Sequence, residues 1–369
     1  MTRKERILAA INCRAIDRVP YATYNIHPYS DNTHTRDESY SEILERIRNF
    51  AGTAAKSHAP GVGVAMSRAS DERVEHVSEV RDGATLTTTI IHTPRGDLSS
   101  VTTSYPGKPG MLTKHLIASD EDINKYMSIP YEPPVFDPTA AKAMCEAVGD
   151  RGMVFFGFQE TTESVVPLFH YEDFCMRTIT DLPGLERLFD WASERCLENV
   201  KLLVEVCAGM DVVFHAIGPE YCTPPMIAPS VFAKLVTPHM RRSIDVIHAA
   251  GFPVSIHCHG KVREVFEEMI KTGADMLEPI EPIPQGDIDL AELMELSAGR
   301  MSLMGHVQDQ DFYTAPEGHF TNWVEQIARV VDGRTGYIMS PTCTPFDIPC
   351  TDTYKRNYIE WLDAAERLL

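Results

Sequence analysis

The chain has 369 residues, 43% of them hydrophobic, enough to fill one large core or two medium ones. Against 53 Asp and Glu stand 34 Lys and Arg, a formal net charge of −19, and the basic residues form no extended run. That balance argues against a nucleic-acid partner, which needs clustered cations, and leaves a small molecule or another protein as the expected partner.

The amino terminus alternates charged and apolar residues at helical spacing, with Ile7, Leu8 and Ile11 on one stripe. Its apolar stretches are too short for a signal peptide or a membrane span, so a cytoplasmic protein without a membrane partner is expected. The nine cysteines, at 13, 145, 175, 196, 207, 222, 258, 343 and 350, lack the spacing of a disulfide framework and read as thiols of a reducing compartment.

Pro20 introduces a first strand at residues 21–24, with Asn25 and His27 just past its end, and residues 41–56 read as a helix. Between 72 and 118 the pattern changes to Thr-rich alternation, a turn at Pro94-Arg95-Gly96-Asp97 and the breaker-rich YPGKPG, which predicts an antiparallel hairpin insertion. Beyond residue 120, short apolar runs (MVFFGF, DVVFHAI, PVSIH, ADMLEPI, MSLMGH, YIMSP) alternate with helical stretches at 183–209, 229–250, 261–273, 290–298, 316–332 and from 351. Alternation of this length predicts a parallel sheet closed into a (β/α)8 TIM barrel, one domain over residues 1–369 with the insertion at 72–118.

Functional groups of such barrels gather at the carboxyl ends of the strands. Here those ends carry Gln159 and Glu160, Glu220 and Tyr221, His257-Cys258-His259, Glu278 and Glu281, His306 and Gln308, and Cys343. His257 and His259 alternate along an extended segment and can face one side, with Cys258 pointing away; if the strand has already turned, Cys258 can replace either. With 14 His in 369 residues roughly half an HxH pair is expected by chance, so the position of the pair carries more weight than its spacing. Cys343 offers a thiolate ligand or a buried structural thiol, and Glu278, Glu281 and Glu220 offer further ligands, orienting carboxylates or solvated charge. His306 and His215 are candidates for pocket walls or for proton handling, although for His215, in the middle of an apolar strand, a satisfied core histidine is the favoured reading. Tyr24, Phe158, Tyr221 and Phe346 could sandwich an aryl ring or belong to the core.

As a set these motifs resemble the uroporphyrinogen decarboxylase superfamily, and within it the corrinoid-dependent methyltransferases, over nearly the whole length. TRKERILAAINCRAIDRVP resembles the amino-terminal helix and first-strand entry, and GPEYCTPPMIAPSVFAKLVTPHMRRSIDVIHAAGFPVSIHCHG the fifth-to-sixth strand unit. GADMLEPIEPIPQGDIDLAEL with MSLMGHVQ is similar to the seventh-strand region and the strand after it. The arginine-rich signature that gathers carboxylates in the decarboxylases is replaced here by YNIHPYSDNTHTRDESY, which argues against tetrapyrrole decarboxylation. The methyltransferases hold zinc with His-x-Cys on the sixth strand and a Cys near the last. His257 matches, His259 stands for the usual Cys and Cys343 for the distal one. The resemblance thus implies zinc held by His257, His259, Glu278 and Cys343, with Cys258, Glu220 or Glu281 as substitutes, and Glu220, Tyr221 and His306 as catalytic groups.

Fewer thiolates leave a more Lewis-acidic metal, which favours demethylation of a donor, a methoxylated aromatic above all, over methylcorrinoid-to-thiol or folate transfer. The chain carries no DxHxxG cobalamin signature, so the corrinoid is expected on a separate partner protein; a homodimer is left open. The rivals are a metal-dependent lyase or hydrolase on the same barrel, with Glu220 or Glu281 as general base, and a barrel that only binds a ligand.

Overall fold

The computed structural model describes residues 1–58, 63–68, 73–108 and 110–369. In chain order its strands are β1 (Ala22–Thr23), β2 (Gly52–His58), β3 (Val74–Arg81), β4 (Ala84–Thr93), β5 (Gly96–Ser104), β6 (Met111–Lys114), β7 (Gly152–Phe158), β8 (Val212–Ile217), β9 (Val254–His257), β10 (Met276–Ile280), β11 (Ser302–Val307) and β12 (Tyr337–Pro341). β1, β2 and β7 to β12 pair side by side, all parallel, in that order. Tyr21 bridges Met339, whose N–H donates to Pro20 O at 3.0 Å, so the last strand returns to the first and closes the barrel.

Parallel neighbours need crossovers, and helices supply them. Leu182–Val206 joins β7 to β8; Asp181 accepts a hydrogen bond from Gly184 N at its start, and Leu185, Leu188, Phe189, Ala192, Cys196, Val200 and Leu203 are buried along one stripe, the helix packing on Thr161–Val165 and Thr237–Ala249. Thr237–Ala249, Phe266–Lys271, Leu290–Ser297 and His319–Val331 make the next crossovers, and Asp352–Leu368 follows β12. The stretch expected as one helix over 229–250 is two, Pro229–Leu235 and Thr237–Ala249, with Pro238 opening the second.

Three further expectations are corrected. The helix expected over 41–56 ends at Asn49, and β2 occupies Gly52–His58: its Ala-rich run, a good helix sequence, is held extended between β1 and β7. The insertion is a four-stranded antiparallel sheet, β3-β4-β5-β6, rather than one hairpin. It spans 74–114 within the connection from β2 to β7, and residue 72, its expected start, lies outside the described residues. The strand that ends at His257 is the fifth of the barrel, not the sixth, and Glu278 lies on the sixth.

Inside the barrel Ala22, Ala54, Met153, Phe155, Val213, Met276, Met304 and Ile338 form a cluster with Ile7, Ala10 and Ile11 of the helix Arg3–Ile11. A Cβ on Gly52, the first residue of β2, would meet Ile7 Cδ1 at 3.0 Å, which places this helix across the amino end of the barrel. It starts on a capping box: Thr2 Oγ1 accepts from Glu5 N and Glu5 Oε2 from Thr2 N. All nine cysteines are free thiols. Among the described residues no helix is long and apolar enough to cross a membrane.

A candidate metal centre at the carboxyl mouth

Side chains two apart on a strand share a face, so on several strands the residue two beyond a member of the apolar plug also points inward. Ala54 is followed by Lys56, Val213 by His215, Met276 by Glu278 and Ile338 by Ser340; on β9, Ser255 is followed by His257. The polar members meet. Lys56 Nζ lies 2.9 and 3.2 Å from the two Glu278 oxygens and 3.1 Å from His215 Nε2. His257 Nδ1 is 2.9 Å from Glu278 Oε2, and His215 Nε2 is 3.5 Å from the same oxygen. His215 Nδ1 contacts Ser255 Oγ at 3.1 Å, which leaves its Nε2 turned to the centre. Tyr24 roofs the group, its ring centroid 3.9 Å from Lys56 Nζ.

Burial would raise the Glu278 carboxyl, but Lys56, His257 and His215 hold it well below the usual carboxylate range, so it is anionic. Burial, and then Lys56, push His215 well below the ordinary imidazole value, so it is neutral with a lone pair to offer. Lys56 is lowered by the same burial, with Glu278 opposing. Glu160, raised to about 8 by burial, and Glu163, raised to about 7 by burial and by Glu220, are carboxyls near the mouth that hold a proton near neutrality.

One ligand atom from each of His215, His257 and Glu278 lies within 4.8 Å of the others, all three residues buried. Two imidazoles and a carboxylate are a donor set that zinc accepts in catalytic sites, where three protein ligands leave a position open. The residues therefore fit a divalent cation, and His215, read from the sequence as a core histidine, is one of them.

The other expected ligands are not members of this trio, although the His259 ring centroid lies 4.7 Å from that of His257. His259 Nδ1 is 3.3 Å from Glu281 Oε1, and Glu281 Oε2 accepts from Gly260 N at 2.7 Å; burial would lower His259, but Glu281 raises it. Cys343 is half-buried, its thiol raised by burial, near enough to Asp309, Glu281 and Lys56 for their charges to act on it. Cys258 is buried and points away, its thiol pushed well up by burial. Glu220 sits in the turn Pro219–Cys222 after β8, and its charge acts on Tyr24, Lys56 and His259. Gly218, at φ 121°, lets that turn form: a Cβ there would meet Glu160 Oε1 at 2.6 Å. Tyr221 is partly exposed and its carbonyl accepts from Tyr171 OH at 2.9 Å. His306 stacks on Trp323 of the helix His319–Val331, 5.6 Å between ring centroids, and so faces the helical layer. Phe346 is 81% exposed, while Phe158 is buried in the outer core.

Gln159 Oε1, Thr162 Oγ1, Glu220 Oε2 and Gln308 Oε1 are buried without a protein partner, and all four follow strand ends on the mouth side. Buried polar atoms find partners, so these mark where water or a ligand binds. Lys56 and His215 were the residues missed by sequence reasoning. Inward parity on β8 and β9 would have paired His215 with His257, but Lys56 carried no signal while its strand read as a helix.

The sequence profile of the family described as Uroporphyrinogen decarboxylase (URO-D) matches residues 163–353, just over half of the chain, and the protein belongs to that family. Among solved structures, a methyltransferase from Methanosarcina mazei superposes with a TM-score of 0.60 at 15% identity, covering 100% of this chain and 98% of that one. This is a likeness of fold. A sugar phosphate isomerase/epimerase from Parabacteroides distasonis (TM-score 0.39, 12% identity, 97% of each chain) and an endo-1,4-beta-mannanase from Rhizomucor miehei (0.40, 7%, 95% and 96%) are more distant. No curated protein matches the chain.

Proposed function

We propose that this protein is a metal-dependent methyltransferase that takes a methyl group from a small donor, a methoxylated aromatic being the favoured class, and passes it to the cobalt(I) of a corrinoid on a separate protein. The observation that carries the reading is the buried trio His215, His257 and Glu278 on the neighbouring strands β8, β9 and β10. Family membership supports it, as does the end-to-end fold likeness to a protein named a methyltransferase. Arg36, the one arginine of residues 24–40, pairs with Asp31 at the surface, and the scarcity of arginine in that stretch speaks against a carboxylate-gathering decarboxylase.

When bound, zinc would supply Lewis acidity at the donor's heteroatom. The chain does the rest. Ser255 orients His215, and Glu278 stays anionic. Glu220 Oε2 is free to accept a hydrogen bond from a bound group. In the transfer the methyl carbon leaves the ether oxygen, which keeps the bonding pair as a phenolate, for the electron pair of cobalt(I). The conjugate acid of such a phenolate titrates at about 10, so charge stabilisation in a dry floor lowers the barrier.

Elemental analysis is expected to find about one zinc per chain, lost in His215→Ala and Glu278→Ala. Mixing with a reduced corrinoid protein and a panel of methoxyaromatics, methylamines and methyl thiols is expected to replace the cobalt(I) spectrum by that of alkylated cobalt for one donor class. Metal binding with no conversion by any donor would turn the reading to a lyase or hydrolase.

A further inference from the structure

The trio has an uninvited fourth member. Lys56 hydrogen-bonds two of the three groups a metal would need, Glu278 and His215, and its side chain is only 8% exposed. An ammonium has three donors, and here two faces go to those ligands while the third lies under the Tyr24 ring. The pocket is thus built around one positive charge, and that charge is tethered to β2. A zinc bonded to Glu278 and His215 at roughly 2.0–2.2 Å would stand in contact with Nζ, whose hydrogen-bond acceptors would then be engaged by the metal. Two cations cannot share that volume where water is scarce.

Resting on the metal reading above, we propose that the Lys56 ammonium and a divalent metal compete for one position: the lysine fills the site when the metal is out and swings aside when the metal binds. The four-carbon stem has the freedom for such a move. Glu220 provides a destination, since its charge already acts on Lys56 and its Oε2 is buried without a partner. The lysine therefore keeps Glu278 compensated in the metal-free protein and sets how tightly the metal is held.

The experiment is a zinc titration of the full chain against a chromophoric chelator, repeated with cobalt(II) for its ligand-field spectrum, on wild type, Lys56→Met, Lys56→Gln, Glu220→Gln and Glu278→Gln, each also melted with and without metal. Lys56→Met and Lys56→Gln are expected to bind one zinc at least about tenfold more tightly than wild type, because the competitor is gone and the unpaired Glu278 gains a partner. Without metal they are expected to melt lower than wild type, and zinc to raise their melting temperature more. Glu220→Gln is expected to weaken zinc binding, having lost the place where the lysine goes. Lys56→Gln keeps a polar tip of similar size, so the comparison survives if Lys56→Met does not fold. Equal affinities in wild type and the lysine variants, with Glu278→Gln impaired, would overturn the competition and leave the metal site standing; weaker binding in the lysine variants would do the same. Zinc taken up by none of the chains would end the metal reading and the competition with it.

Discussion

Met304 points into the barrel, and strict alternation would send His306 to the same interior. Gly305 at φ 135° and His306 at φ 73° break the alternation, the β10–β11 register shifts between Leu277 and Ile280, and the imidazole turns out against Trp323. There burial lowers it to about 4, and its Nδ1 has no protein partner. A histidine depressed in the fold takes up its proton first in the unfolded chain. Its contribution is therefore intact above the unfolded value of about 6.5 and declines as pH falls towards the folded value of about 4, by up to about 3 kcal/mol. Urea denaturation from pH 7 to 4 is expected to show wild type losing more stability than His306→Asn by that order; parallel pH profiles would refute it. No residue-type rule anticipates a two-residue flip, so the position of His306 was not legible. His257 and Glu278 were legible, because a histidine and a glutamate at adjacent strand ends need only the strand boundaries to bring them together. His215 was visible but read as core, which it is by burial alone.

At the scale of elements, β2 marks where sequence reading loses information. Gly-Thr-Ala-Ala-Lys-Ser-His has no alternation and only one β-branched residue, and nothing local distinguishes it from the end of the preceding helix. Its extended form is imposed from outside, by β1 on one side and β7 on the other. The later strands, rich in Val, Ile, Phe and Met and bounded by clear helices, announced themselves. The helix Arg3–Ile11 was legible too, though not its task of closing the amino end. Ile7 is 1% exposed there and lies against Gly52, the first residue of β2. Ile7→Ala is expected to cost about 2–4 kcal/mol in urea denaturation, with the metal stoichiometry unchanged, since the cavity forms below the site. A cost under half that would mean the helix is not sealing the barrel.

Over the whole molecule, the first and last segments are fastened together. Trp361 of Asp352–Leu368 lies edge-on to Tyr21, 6.3 Å between ring centroids, and its Nε1 contacts Met339 Sδ at 3.3 Å. Tyr21 OH donates to Glu366 Oε2 at 2.6 Å, and Arg18 donates to the Glu366 carbonyl at 2.7 Å. Because closure depends on this seam, Trp361→Ala is expected to lower stability by about 3–5 kcal/mol and to loosen β1 and β12 together in hydrogen exchange. Exchange confined to the terminal helix would contradict that.

The helix Arg3–Ile11 closes the amino end, so the proposed reaction has only the carboxyl end to work through. In the proposed reaction the donor comes in by it, the demethylated product goes out by it, and the carrier that collects the methyl group has to present its cobalt there too. Traffic of that kind is a queue: the donor must sit deep enough, against the floor of histidines and glutamate, for a macromolecule to close over it, and the product waits until that visitor has gone.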